Sequence, residues 1–289
     1  MRGLAYQLVL EAPHVPDWFR NVAAHVLPDV RISVLSPTSH LGATSVGSSF
    51  QRLEYPGIAS IIIQDGSSIT IQPGPTVGPD VVELLIAGPA LGVLLHQRGA
   101  LVQHASAIRH QEGALVFTGG STWGKSTTAA FLYGSGFGIV ADDVVPLSVS
   151  HDVVTTVPGY PACKLWPDAA SALGLDPDAM PTIGLEAEKR RLDALRGFED
   201  DPLRVSRIYV LSQGNGTRIE PIEGQAAFVE LVRHSYLARY LGDPADQRRR
   251  FTQAERVVRS VAIRRLVQGS LDELPMLPDL IAEDLATSA

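Results

Sequence analysis

Residues 119–126 read Gly-Gly-Ser-Thr-Trp-Gly-Lys-Ser. No other stretch constrains the fold as strongly. The pattern Gly-x-x-x-x-Gly-Lys-Ser works only where a strand enters the loop and a helix leaves it. The apolar run Ala114–Phe117 precedes it, and the helix-compatible run STTAAFLYG follows it. Glycines let successive backbone N–H groups curl around phosphate oxygens, and the helix that follows points its positive end at the same anion. The pattern therefore predicts an α/β fold with Gly119, Gly120, Ser121, Thr122, Trp123, Gly124, Lys125, Ser126 and Thr127 around a nucleotide. Lys125 would reach the β- and γ-phosphates of ATP, Ser126 would ligate Mg²⁺, and Thr127 would meet the α-phosphate. The bland alternative is a Gly-rich turn that binds nothing. Trp123 is bulky for such a loop and either stacks near the nucleotide or packs at the surface.

Two further features belong with the loop. Asp142 and Asp143 follow the short apolar run Gly138–Ala141. In a phosphoryl-transfer site one carboxylate holds the metal and the other accepts the proton of an attacking hydroxyl. Neighbouring side chains on a strand point to opposite faces, so the pair is expected at a strand end, or else as two solvated acids in a turn. His104 lies on the strand before the loop, where it is either structural or part of the site. The only lysines among 24 basic residues are Lys125, Lys164 and Lys189. Base bias in the genome accounts for that blandly, yet lysine offers a compact point charge that the arginine fork does not.

Taken together, His104 placed 21 residues before Lys125 and the Asp pair at 142–143 resemble the catalytic domain of the HPr kinase/phosphorylase family over about residues 100–147. That domain is related to the core of phosphoenolpyruvate carboxykinase. The resemblance implies a P-loop kinase core with a β-rich N-terminal lobe, divided as 1–98 and 99–289. It implies Asp143 as the base, Asp142 as support for metal or water, and His104 beside the base or the transferred phosphate, with Lys125 and Ser126 on phosphate and Mg²⁺. The Leu-Glu-x-Arg-Gly-x-Gly stretch of the family, which carries a metal-binding Glu, is missing. Tyr160–Asp168 stands in its place, so Asp168 is the substitute metal ligand, and Lys164 faces either phosphate or solvent. These departures resemble the divergent branch that includes lasso-peptide precursor kinases. The implied activity is ATP- and Mg²⁺-dependent transfer to a Ser or Thr hydroxyl of a peptide or small protein. The alternatives are a small-metabolite kinase and a nucleotide-binding recognition module without transfer.

Composition sets the outer bounds. The chain has 289 residues, 45% apolar and 19% charged, with a net charge of −7, which argues against a general nucleic-acid binder. A lone cysteine, Cys163, excludes an intramolecular disulfide and a Cys-based zinc cluster. The longest uncharged apolar run, Leu84–Leu95, falls short of a membrane span, so the expectation is a cytoplasmic protein with no membrane partner; a homo-oligomer is left open. Strands are expected at Tyr6–Leu10, Arg31–Leu35, Ala59–Ile63, Ile69–Gln72, 101–109 and 114–118, the last two joined at Glu112-Gly113. A helix from Asp80 to Gln97 is expected to kink or break at Gly88-Pro89. Segment 174–204 reads as a long loop, 206–211 and 218–222 as a hairpin, and 225–241, 246–258 and the C-terminal LPDLIAEDLA as helices, with a short strand at 260–263.

Overall fold

The computed structural model describes residues 1–14, 16, 19–38, 49–111, 113–183, 189–238 and 244–287. The chain is a mixed α/β protein with several sheets. The first sheet holds β1 (Arg2–Ala5), β2 (Leu8–Glu11), β3 (Arg20–Asn21), β4 (Val30–Val34), β5 (Phe50–Tyr55), β6 (Ala59–Gln64) and β7 (Ser68–Pro73), in the order β3-β1-β2-β4-β7-β6-β5. The strand expected over Tyr6–Leu10 is instead a turn and a strand. Tyr6 and Gln7 both take left-handed backbone angles, φ 53° and 59°, the geometry of a two-residue hairpin.

A helix, Pro79–Gln97, connects this sheet to the next. The regular α-helix is interrupted at the expected place: Ile86–Ala90, around Pro89, form one widened turn between α-helical Pro79–Leu85 and Leu91–Gln97, because a proline inside a helix removes one backbone donor and clashes with a carbonyl of the preceding turn. By length and composition it would suffice to cross a membrane, but most of its apolar window is buried inside the molecule. Gly92 makes its packing possible: a Cβ there would sit 2.5 Å from the Tyr236 ring.

The second sheet is built from β8 (Leu101–His110), β9 (Gly113–Thr118), β10 (Gly138–Ser150) and β11 (Val153–Thr156). A three-stranded sheet follows in the chain: β12 (Ala162–Leu165), β13 (Thr182–Ile183) and β14 (Lys189–Asp193), in the order β12-β14-β13. The second sheet is completed by β15 (Leu203–Gln213), β16 (Arg218–Pro221) and β17 (Ile263–Gln268), giving the order β11-β10-β8-β9-β15-β17-β16. The hairpin expected across Gly214-Asn215-Gly216 does not form, because β17 inserts between its two arms. It pairs parallel with β15 and antiparallel with β16. The long loop expected at 174–204 instead contributes β13, β14 and the start of β15. Residues 184–188 within it, Glu112 of the β8–β9 turn, and the end of the expected 225–241 helix lie outside the described residues. That helix spans Gly224–Arg233, and Ser235 then bridges to Gln103.

The two large sheets share no strand, yet one hydrophobic cluster joins them, from Leu10 and Ile61 through Leu91 and Leu94 to Val116 and Val144. Helix Leu277–Ala286 is tied to the far face of the second sheet by Asp284. Its carboxylate accepts from Arg207 Nε and Arg264 Nε at 2.9 Å each and from the Tyr209 hydroxyl at 3.0 Å.

Candidate active site

Three adjacent strands position the site. β9 feeds the 119–124 loop, and helix Lys125–Gly134 leaves it. β8 lies beside β9, and β10 lies on the other side of β8, with Asp142 opposite Ser106 and Val144 opposite His104. Gly124 has φ 81°, a left-handed angle that glycine adopts without steric cost, so the chain can turn from loop into helix there. Helix and loop are braced from β17, where Gln268 Nε2 donates to Thr128 Oγ1 at 2.6 Å.

Lys125 folds back over the loop. Its Nζ donates to the carbonyls of Gly119 at 3.1 Å and Gly120 at 2.9 Å. The side chain is buried. Burial pushes its pKa down to about 8, against the opposing pull of Asp142 and Asp143.

The Asp pair does not sit at a strand end. β10 runs thirteen residues through it. Asp143 takes φ 75°, an uncommon angle for a non-glycine residue that costs on the order of 1 kcal/mol or more. The twist breaks the alternation of the strand, and both carboxylates border one cavity. Asp142 is buried and fully engaged. Its Oδ1 accepts from Ser106 Oγ at 2.6 Å and Ser126 Oγ at 2.8 Å, and its Oδ2 from the backbone N–H of Lys164 at 2.9 Å. Asp143 is a quarter exposed. Its Oδ1 lies 3.0 Å from His104 Nδ1, and its Oδ2 accepts from Lys164 Nζ at 3.2 Å. Burial alone would raise its pKa; the Lys164 charge and the His104 contact outweigh that and hold it well below the usual carboxylate range. The ring of His104 stacks obliquely on Tyr236, 5.8 Å between centroids.

The cavity these groups enclose has a volume of about 110 Å³. His104, Lys125, Ser126, Thr127, Asp142 and Asp143 line it, together with Ser121, Thr122 and Gly124 of the loop. Lys164 and Lys189 line it as well, so every lysine in the chain borders one cavity. Gly119 and Gly120 contribute the carbonyls that hold Lys125. Trp123 lies across Gly120, where a Cβ would come within 2.7 Å of the indole, and meets His234 edge-on at 6.2 Å.

Asp168 is not brought to this cavity. It sits in the first turn of the short helix Pro167–Ala172, where its Oδ1 accepts from the Ala169 N–H at 2.8 Å. That turn faces a separate groove on the other flank of the loop. Three residues of the site had little or no signal in the sequence. Ser106 and Gln268 had none, and Lys189 had only the scarcity of lysine.

The residues present fit a nucleotide with Mg²⁺. Among the described residues no group of three or more His, Cys, Asp or Glu could cage a metal. Mg²⁺ is bound by one or two carboxylates together with substrate phosphates rather than by a protein cage, and Ser126 with Asp142 is a donor set of that type.

No family model matches the chain, and no curated protein matches it. Among solved structures it is similar to the Hpr(Ser) kinase/phosphatase from Coxiella burnetii, at 12% identity over 64% of this chain and 97% of that one, with a TM-score of 0.34. At that TM-score the likeness carries no weight for the site or its reaction, which rest on this chain's own residues.

Proposed function

We propose that the chain is an ATP- and Mg²⁺-dependent phosphotransferase acting on a hydroxyl acceptor. The observation that carries this reading is the convergence of all three lysines, the 119–127 loop and the Asp pair on one cavity. Three lysines around a Gly-rich loop suit a polyphosphate, on which Thr127 would meet the α-phosphate, Lys125 the β- and γ-phosphates, and Asp143 the acceptor. A base is superfluous for binding alone, whereas transfer to a hydroxyl gains from one.

Ser126 and Asp142 would hold Mg²⁺, which supplies charge neutralisation across the phosphate oxygens. Lys125 would exchange its two loop carbonyls for phosphate oxygens. The γ-phosphate offers Lys164 a second anion and loosens its hold on Asp143 Oδ2. The acceptor oxygen then forms its bond to the γ-phosphorus, the bond from that phosphorus to the β,γ-bridging oxygen breaks, and the acceptor proton passes to Asp143. ADP leaves with the bond's electron pair. A serine or threonine of a peptide or small protein, such as a lasso-type precursor, is the acceptor that the motif resemblance implies.

Binding without transfer is the second reading. Its support is Asp143 itself, since a carboxylate held by Lys164 and His104 is a weak base until that ion pair opens. Asp143→Asn separates the two. It keeps shape and removes the proton acceptor, so transfer to a serine-bearing peptide should fall at least about 100-fold while Mg-ATP binding persists. Full transfer activity in the variant would remove Asp143 as the base. A wild-type protein that binds Mg-ATP and transfers to no hydroxyl would leave the binding reading in place.

A further inference from the structure

A groove of about 800 Å³ opens on the other flank of the loop. It shares Thr122, Gly124, Thr127 and Trp166 with the phosphate cavity, and Trp123 and Leu271 complete its apolar wall. Trp166 is 40% exposed and Leu271 51% exposed. Exposed aromatic and apolar side chains along one groove offer a face on which a flat ligand can stack. Lys189 Nζ lies 5.1 Å from the centre of the Trp166 ring, so this indole is held by the same cation that lines the phosphate cavity.

We propose that this groove takes the nucleoside half of the nucleotide, with the base stacked on Trp166 and within reach of Trp123. The assignment rests on the phosphate site proposed above and extends it. The direction follows from the loop. Asp142 and Asp143 mark the γ-phosphate end of the cavity, and Thr127 lies where the cavity and the groove meet. A polyphosphate that starts at Asp143 and passes Lys125 reaches Thr127 at its α-phosphate, and the ribose and base emerge into the groove. Aromatic faces accept any base, and the exposed amide of Gln213 on the groove wall offers a donor and an acceptor to a base edge. Asp168, also on that wall, presents a carboxylate suited to ribose hydroxyls. This gives the acid a place in the site that does not involve the metal.

The test compares Mg-ATP with Mg-tripolyphosphate, which has the phosphates and no nucleoside. Binding of both is measured by calorimetry to the wild type, Trp166→Ala and Trp166→Phe. Loss of a base–aromatic stack weakens binding by roughly 5- to 150-fold. Trp166→Ala should show that loss for ATP and leave tripolyphosphate unchanged, and Trp166→Phe should recover part of it. Indole fluorescence of the wild type should respond to ATP and much less to tripolyphosphate. Equal weakening for both ligands would mean that Trp166 acts through Lys189 and the phosphates, and would overturn the proposal. So would an unchanged ATP affinity in Trp166→Ala. If neither ligand bound the wild type, the phosphate site itself would be wrong and this proposal would fall with it.

Discussion

Lys125 carries a charge in a buried position, where burial outweighs the pull of Asp142 and Asp143, and that has a measurable cost. Its pKa is about 8 in the folded protein against 10.5 for an ordinary lysine. The unfolded chain therefore binds more protons than the folded one between pH 8 and 10.5, and stability rises with pH across that window. Below pH 8 the penalty is fully present; above 10.5 it is gone. A shift of that size corresponds to about 3 kcal/mol at about 1.4 kcal/mol per unit. Solvent at the cavity mouth trims this to about 2 kcal/mol. Lys125→Met removes the titration and keeps the side-chain length. The assay is thermal unfolding of both proteins from pH 7 to 10.5, with the variant subtracted so that tyrosines and other groups common to both cancel. The wild type should gain on the variant by about 4 °C across the window, at about 2 °C per kcal/mol for a chain of this size. With saturating Mg-ATP at pH 7 only the wild type should be stabilised. A difference that stays flat with pH would refute the burial of a charged Lys125, whatever the nucleotide does.

Two other perturbations separate the parts of the structure. Asp168→Asn should leave the Mg²⁺ dependence of activity superimposable on wild type, because that carboxylate faces the groove and not the Ser126–Asp142 pair; a raised Mg²⁺ requirement would restore it as a ligand. Asp284→Ala strands Arg207 in a buried position, so chemical denaturation should show a loss of about 3 kcal/mol or more; a neutral result would mean that solvent or another acid replaces the lost partner.

What could be read in advance divides along the range of the interactions. The loop, its feeding strand and the helix Lys125–Gly134 are local, and their residues carry their own geometry in glycine positions and apolar runs. Alternation, which forbids two neighbours one face, predicts the Asp pair at a strand end. The left-handed angle at Asp143 lifts that prohibition, and nothing in an Asp-Asp-Val run announces it. Tyr6 and Gln7 mislead in the same way, since the hairpin turn there uses neither Gly nor Asn. Lys164 and Lys189 reach the cavity through the small β12-β14-β13 sheet, whose pairing spans a segment that reads as a charged loop. The place of β17 between β15 and β16 depends on partners some fifty residues upstream, so a short turn-rich link at 214–217 reads locally as a hairpin that the sheet does not contain.

The insertion of β17 also sets an order of assembly. As the chain leaves the ribosome, the loop, the Asp pair and both extra lysines emerge well before residues 263–268, and until those arrive β15 has an open edge where its parallel partner belongs. Parallel pairing between distant segments forms slowly, and open strand edges invite pairing with other chains. Gln268, which steadies the helix after the loop through Thr128, comes at the end of that same strand. A nascent chain halted near residue 255 would thus carry the loop, the Asp pair and all three lysines without the Gln268 brace, and with an open strand edge exposed to aggregation. The brace on the loop helix arrives only with the last strand to join the sheet.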